Sequence, residues 1–184
     1  MTTNANNILV GTTGTVSVAP TGTTGPTTTS TALAAGFVDL GFLTEEGFTF
    51  TESKDIADIL VWQSFYPARR LVTGRSVQVS FSLREWKTDT IEFALGGTVT
   101  GSAPNWKYTP PTPSDIGEKS LVIDWQDGTR YFRLYFPTGI VTEAVESNFT
   151  RTDSSVLPVT FSGLDPGGSV SIYTLFTNDT SFSS

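Results

Sequence analysis

A chain of 184 residues is long enough for one domain, and it carries a net charge of −7 with 16% charged residues, no cysteine and no histidine. Those counts exclude a disulfide framework, thiolate or Ser-His-Asp catalysis and the usual zinc ligands, and an acidic balance disfavours a protein that grips phosphate backbones. Thirteen Phe residues provide for a core, and the abundance of Thr, Val and aromatics over Glu, Lys and Arg favours strands.

In chain order, the polar start MTTNANN precedes a first strand over Ile8–Val10 and Thr15–Ala19, broken by Gly11 and Gly14. The opening eleven residues lack a basic segment followed by an apolar one, so synthesis in the cytoplasm is expected. No apolar run approaches a membrane span. Seven of the twelve residues in Pro20–Thr31 are Thr and the rest are Pro, Gly and Ser, which reads as a loop. Phe37–Trp62 turns at Gly41 and passes the acidic Thr44–Gly47. It then alternates Phe48 and Phe50 with Thr49 and Thr51, and ends on an acidic segment running into the apolar Ile56–Trp62. Ser64–Ala68 reads as a turn built on Pro67, followed by a short strand Arg69–Thr73 that Gly74 breaks. Val77, Val79, Phe81 and Leu83 then alternate with polar residues as one face of a strand.

One helix is predicted over about 89–95, with Asp89 as N-cap, Glu92 completing a capping box, Ile91, Ala94 and Leu95 as its apolar stripe and Gly96 just past its end. Four prolines make Gly101–Ile116 a loop. Leu121–Phe136 is a hairpin. With Asp127-Gly128 as a two-residue turn, Leu121 pairs with Leu134 and Ile123 with Phe132, and Arg130 falls opposite Trp125 at cation–π range. Pro137–Gly139 turns the chain. Further strands are expected over Ile140–Phe149, Val156–Leu164 and Val170–Phe176, with turns at Asp153–Ser155 and Asp165–Gly168 and a polar tail at 177–184. The sum is a mainly β protein, a sandwich or barrel of about nine strands with one short helix, in a single domain over 1–184.

The motifs for chemistry are sparse. No phosphate-binding GxxxxGK[ST] run occurs. Asp124 with Asp127, or Glu45 with Glu46, could pair as hydrolytic carboxylates, but acids in exposed turns more often sit in water. Asp153 and Asp165 lack the spaced carboxylates of a calcium loop. Trp62, Trp86, Trp106 and Trp125 could form sugar-binding platforms, with packing the commoner use. The Asn148 and Asn178 glycosylation patterns read as chance matches in a Thr-rich chain. No catalytic residue, cofactor or metal ligand is expected.

Five stretches in order carry a resemblance. They are V-A-P-T-G-T-T-G-P-T (Val18–Thr27), D-L-G-F-L-T-E-E-G (Asp39–Gly47), D-I-A-D-I-L-V-W-Q (Asp55–Gln63), V-S-F-S-L (Val79–Leu83) and the capped helix from Thr88. This order resembles the major tail tube protein of long-tailed bacterial viruses over roughly the first half of the chain. The resemblance implies a non-enzymatic virion protein, made in the host cytoplasm, whose β domains form hexameric rings. The rings stack on one another, with tape measure, terminator and distal tail proteins as further partners, and DNA passes through the lumen without specific binding. It also makes Pro20–Thr31 an exposed loop on the tube.

The charge pattern fits such a conduit. Residues 1–60 hold six acidic groups and one basic, whereas 66–87 hold five basic and one acidic, which suits head-to-tail contacts. Six copies at −7 give about −42 per ring. Residues 48–72 are expected to be the assembly hairpin. Ile56, Ile59, Leu60, Trp62, Arg69 and Arg70 would contact a neighbouring subunit, and Glu52, Asp55 and Asp58 would face the lumen or a neighbour's basic band. Another virion β-protein, such as a head decoration protein or a tail terminator, and less so a carbohydrate-binding module, are the alternatives.

Overall fold

In the computed structural model, which describes residues 7–143 and 145–182, the alternating Val77–Leu83 stretch lies in the sheet with its odd residues buried. The polar ends at 1–6 and 183–184 lie outside the described residues. Among the described residues, ten strands and one α-helix run in the order β1 (Thr13–Pro20), β2 (Val38–Asp39), β3 (Leu43–Val61), β4 (Ser64–Leu83), α1 (Thr88–Leu95), β5 (Thr98–Ser102), β6 (Asn105–Thr109), β7 (Lys119–Asp127), β8 (Arg130–Val141), β9 (Leu157–Gly163) and β10 (Thr174–Thr177), with a 3-10 turn at Thr180–Phe182. Eight strands form one antiparallel sheet in the order β2-β1-β7-β8-β9-β4-β3, with β10 also on β8, and β5 and β6 pair separately.

The sheet curls on itself. Phe48 of β3 meets Trp125 of β7 edge to face at 5.0 Å, although three strands lie between β3 and β7 in the sheet. Val16, Ile123, Phe136, Val79, Leu157 and Phe161 fill the enclosed core, each worth roughly 1.5–3 kcal/mol on burial. Phe93 closes it from α1, stacked between Phe81 at 6.3 Å and Phe161 at 6.1 Å. That aromatic contact sets the buried stripe of α1 at Thr90, Phe93 and Ala94, and leaves Leu95 exposed. The N-cap is Lys87, not Asp89. The buried Thr90 hydroxyl accepts from the Lys87 amide at 3.0 Å and donates to the Glu85 carbonyl at 2.8 Å. Glu92 instead accepts from the Val99 amide at 2.6 Å, tying α1 to β5.

Several breaks expected in the chain are bulges in continuous strands. β1 runs through Gly14, and Ile8–Val10 stays out of the sheet because the Asp127 side chain takes the Val10 amide at 3.2 Å. Pro137-Thr138 does not turn the chain. It shifts the β7 register between Leu121↔Phe136 and Lys119↔Gly139, after which β8 pairs with β9. A side chain at Gly139 would collide with the Phe161 ring, so the handover needs glycine. β8 then ends at Val141, and the loop that follows replaces the strand expected to Phe149; the last strand is shorter too, Thr174–Thr177. Within 101–116, Pro104 occupies only the turn of the β5–β6 hairpin, so two strands fit where a loop is expected.

The β7–β8 turn is Gly128-Thr129, one residue later than expected. Leu121 therefore faces Phe136 and Ile123 faces Leu134. A turn displaced by one residue moves each partner by two, which preserves the buried face. It also puts Arg130 opposite Asp127 instead of Trp125, and Arg130 bonds Asp127, Asp179 at 3.3 Å and the Ile8 carbonyl at 3.0 Å.

The outward face of β1, β7 and β8 is also covered. Ala19, Ser120, Val122 and Arg133 are buried there. Arg133 holds Asp124 through Nε at 2.6 Å and Nη2 at 3.0 Å, and its Nη1 donates to the carbonyls of Thr31 at 2.6 Å and Thr28 at 3.1 Å. The Thr-rich segment is thus bound across the sheet, with Pro26 buried and Gly25 against the Tyr135 ring. Replacing Arg133 with Met leaves these acceptors unpartnered and should cost about 2–4 kcal/mol in urea unfolding, with amide exchange at 25–35 accelerating more than in the core. Hydrogen bonds donated by the Ser181 amide and hydroxyl, and the Arg130 guanidinium, hold the Asp179 carboxyl below its ordinary value. Its contribution is therefore complete above the ordinary aspartate range and is lost as pH falls through the lowered value. Hydrogen exchange at 177–182 should rise there before the core opens.

Candidate assembly surface

β3 and β4 pair from Leu43↔Leu83 to Val61↔Ser64, whereas β9 flanks β4 only between Gln78 and Leu83. Beyond Ser76 the pair leaves the body as a two-stranded ribbon. Every residue from 49 to 66 is exposed. The turn is Trp62-Gln63, not Ser64–Ala68, and β4 begins at Ser64. Pro67 lies in a bulge, because the register passes from Ile59↔Arg69 to Val61↔Ser64 and leaves four β4 residues against Leu60. A residue without an N–H is tolerated there. A second shift between Asp55↔Gly74 and Ile56↔Val72 leaves Thr73 unpaired, so the strand bends past Gly74 without breaking. The acidic Thr44–Gly47 is likewise a bulge inside β3, between Leu43↔Leu83 and Phe48↔Phe81, with Gly47 at φ 67°.

The alternation assigns faces. Phe48 and Phe50 point to the core side, the latter against Tyr173 at 5.3 Å, and Glu52 continues that face by accepting from the Tyr173 hydroxyl at 3.2 Å. Burial, and then the Glu52 carboxylate, raise the Tyr173 phenol above its ordinary pKa. Ile56, Asp58 and Leu60 follow on the same side, with Val72 and Arg70 across the ladder. Asp55, Ala57 and Ile59 occupy the other side with Leu71 and Arg69. The fold thus brings all nine expected site residues onto one ribbon, but divides Glu52 and Asp58 from Asp55.

The acidic stretch meets the basic band across its own ladder. Arg70 Nε donates to Asp58 Oδ1 at 2.9 Å, with side chains 70% and 41% exposed, so the pair contributes under about 1 kcal/mol. The Arg69 side chain makes no hydrogen bond or ion pair among the described residues. At the tip Trp62, Phe65 and Tyr66 are 99%, 104% and 81% exposed. Phe65 and Tyr66 were not among the expected interface residues. Their signal was the cluster of aromatics around Trp62-Gln63, masked by reading Pro67 as the turn.

Four of the acids weighed for chemistry have structural partners. Asp124 and Asp127 pair with Arg133 and Arg130, and Asp153 and Asp165 accept neighbouring backbone amides at 2.8 and 2.9 Å. No group of three or more metal-ligating side chains occurs among the described residues. The four Trp residues are dispersed, on the tip, against Phe149, on β6 and against Phe132, and build no common platform.

A family model described as phage tail tube protein matches residues 1–184. Among solved structures, a chain from "Virion of native gene transfer agent (GTA) particle" is similar at 11% identity and a TM-score of 0.41, over 97% of this chain and 100% of that one. No curated protein matches.

The core contains no residue between Thr49 and Ser76. Excising 54–75 and joining Ser53 to Ser76 through Asn-Gly should therefore leave a cooperative thermal transition within a few degrees of the full chain, measured by circular dichroism.

Proposed function

The chain belongs to the phage tail tube protein family, structural proteins of the virion tail, and on that premise we propose that its copies close into hexameric rings that stack into a hollow tail through which DNA passes. The observation that carries this reading is the ribbon. A two-stranded ribbon with unpaired edges and bare aromatics is marginal in water and invites a partner. A second copy supplies one by continuing the sheet from subunit to subunit.

In this reading residues 48–72 are the assembly hairpin. Ile56, Leu60 and Arg70 meet a neighbouring subunit from one face, Ile59 and Arg69 from the other, and Trp62 from the tip. The channel acids are Glu52, Asp55 and Asp58. Because the register divides them, a ribbon that shows one face to the lumen presents either Glu52 with Asp58 or Asp55. At −7 per copy the ring repels phosphate, which lets DNA slide instead of adhering. The role is architectural, with no catalysis, and the remaining contacts are with tape measure, terminator and distal tail proteins.

Replacing Ile59 and Trp62 together with Asp tests this reading. Both side chains are exposed, so the melting curve should not change, while negative-stain microscopy should show particles in place of the tubes formed by the unmodified chain. Tubes of normal length from the double variant would sink the assignment of the hairpin.

A further inference from the structure

The ribbon fixes a long axis with unlike ends. β4 runs without interruption from the tip at Ser64 to Leu83, on the order of 60 Å at the usual strand rise. Past Leu83 the chain builds a second aromatic surface. Phe42 is 76% exposed, held by the Glu85 carboxylate on its amide at 3.0 Å and by the Arg84 amide on its carbonyl at 2.8 Å. Trp86 and Phe149 meet at 5.0 Å with their rings tilted by 51° and are 40% and 73% exposed, and the Trp86 indole donates to the Ser155 carbonyl at 3.3 Å. These rings sit at the end of the body remote from the tip, because Leu83 pairs with Leu43 and Leu157.

The charges of the two ends are complementary. Residues 52–75 of the ribbon hold four basic groups and three acidic, a net positive segment in a chain of −7. The segments around the remote platform, 39–46, 84–89 and 145–153 together with Glu143, hold eight acidic groups and three basic. Within this set Glu46 and Glu143 share a groove of about 210 Å³ whose other lining residues are Ser, Thr and Gly with Phe81, Pro158 and Val159. Arg69, exposed and with no side-chain partner among the described residues, is the cation at the tip end best placed to meet an acidic surround.

We propose that the Trp62–Tyr66 tip of one copy docks on the Phe42–Trp86–Phe149 platform at the opposite end of a second copy, with Arg69 against the acidic rim. This rests on the tube reading and names the partner surface of its hairpin. The two patches differ, so the contact is heterologous and repeats along the axis without closing. Aromatic burial supplies the attraction, and the charge difference sets the direction, since tip against tip or platform against platform brings like charges together.

The absence of native cysteine makes the test clean. A chain carrying both Gln63→Cys and Asn148→Cys, exposed positions beside the docking rings that leave the rings themselves in place, is assembled and oxidised under mild conditions. The two positions lie at opposite ends of one copy, so only an intermolecular disulfide can form. The expected result is a ladder of covalent dimers, trimers and higher species on non-reducing gels, lost on reduction, with each single variant giving at most a dimer. In parallel, Phe42→Asp with Phe149→Asp should abolish long tubes while leaving the circular dichroism melt unchanged, and Arg69→Glu should shorten them. Tubes that form from the double-cysteine chain without a ladder, or undiminished tubes from the Asp variant, overturn the docking and leave the tube reading standing. Failure of the unmodified chain to form tubes overturns both.

Discussion

β4 lives in two environments, and the molecule depends on that continuity. Its residues 77–83 are clamped between β3 and β9 with every second side chain in the core, whereas residues 64–76 have β3 alone. A free two-stranded ribbon is marginal in water. This one is held because its ladder is continuous with a fully packed root, so each outer pair adds to structure already formed. Bulges at Pro67 and Thr73 bend the ribbon without breaking the ladder. The exposed length is what makes the chain suited to meeting another copy, and it lies outside the core that folds the body.

The charge pattern changes meaning once folded. Along the sequence, an acidic first third precedes a basic band. In the ribbon the two lie across one antiparallel ladder, Asp58 bonded to Arg70 and Asp55 opposite Gly74, and most of their field cancels. What survives is a difference between ends, with a slightly basic ribbon at one and an excess of acidic over basic groups around Phe42, Trp86 and Phe149 at the other. Arg133 illustrates the same economy. A single buried guanidinium holds Asp124 and two loop carbonyls, and turns a Thr-rich segment into the second cover of the sheet.

Much of the fold was legible because alternation survives local errors. Val77–Leu83 and Leu121–Ile123 announce buried faces wherever their turns fall, and a turn misplaced by one residue still pairs the correct sides. Punctuation was the weaker guide. Pro67, Pro104, Pro137 and Gly74 each suggested an end, yet one sits at a hairpin turn and the others in bulges of long strands. Proline and glycine report where a ladder is interrupted for a residue or two, and only the partner strand decides whether it resumes. The helix stripe failed for a related reason, because Phe93 faces inward only where Phe81 and Phe161 await it.

By itself the sequence determined the class of the fold, the absence of cysteine and histidine chemistry, the strand that anchors the core and the apolar stretch at Ile56–Trp62, since composition and period-two patterning are properties of the chain alone. Tertiary structure decided that this stretch stands clear of the body, that Phe65 and Tyr66 join Trp62 at its tip, that Asp58 is met by Arg70 from its own chain, and that a second aromatic platform lies at the far end. Those features arise from register and from pairing between distant segments. Local sequence cannot specify them, because the energy that selects a partner strand is released only when both strands are present.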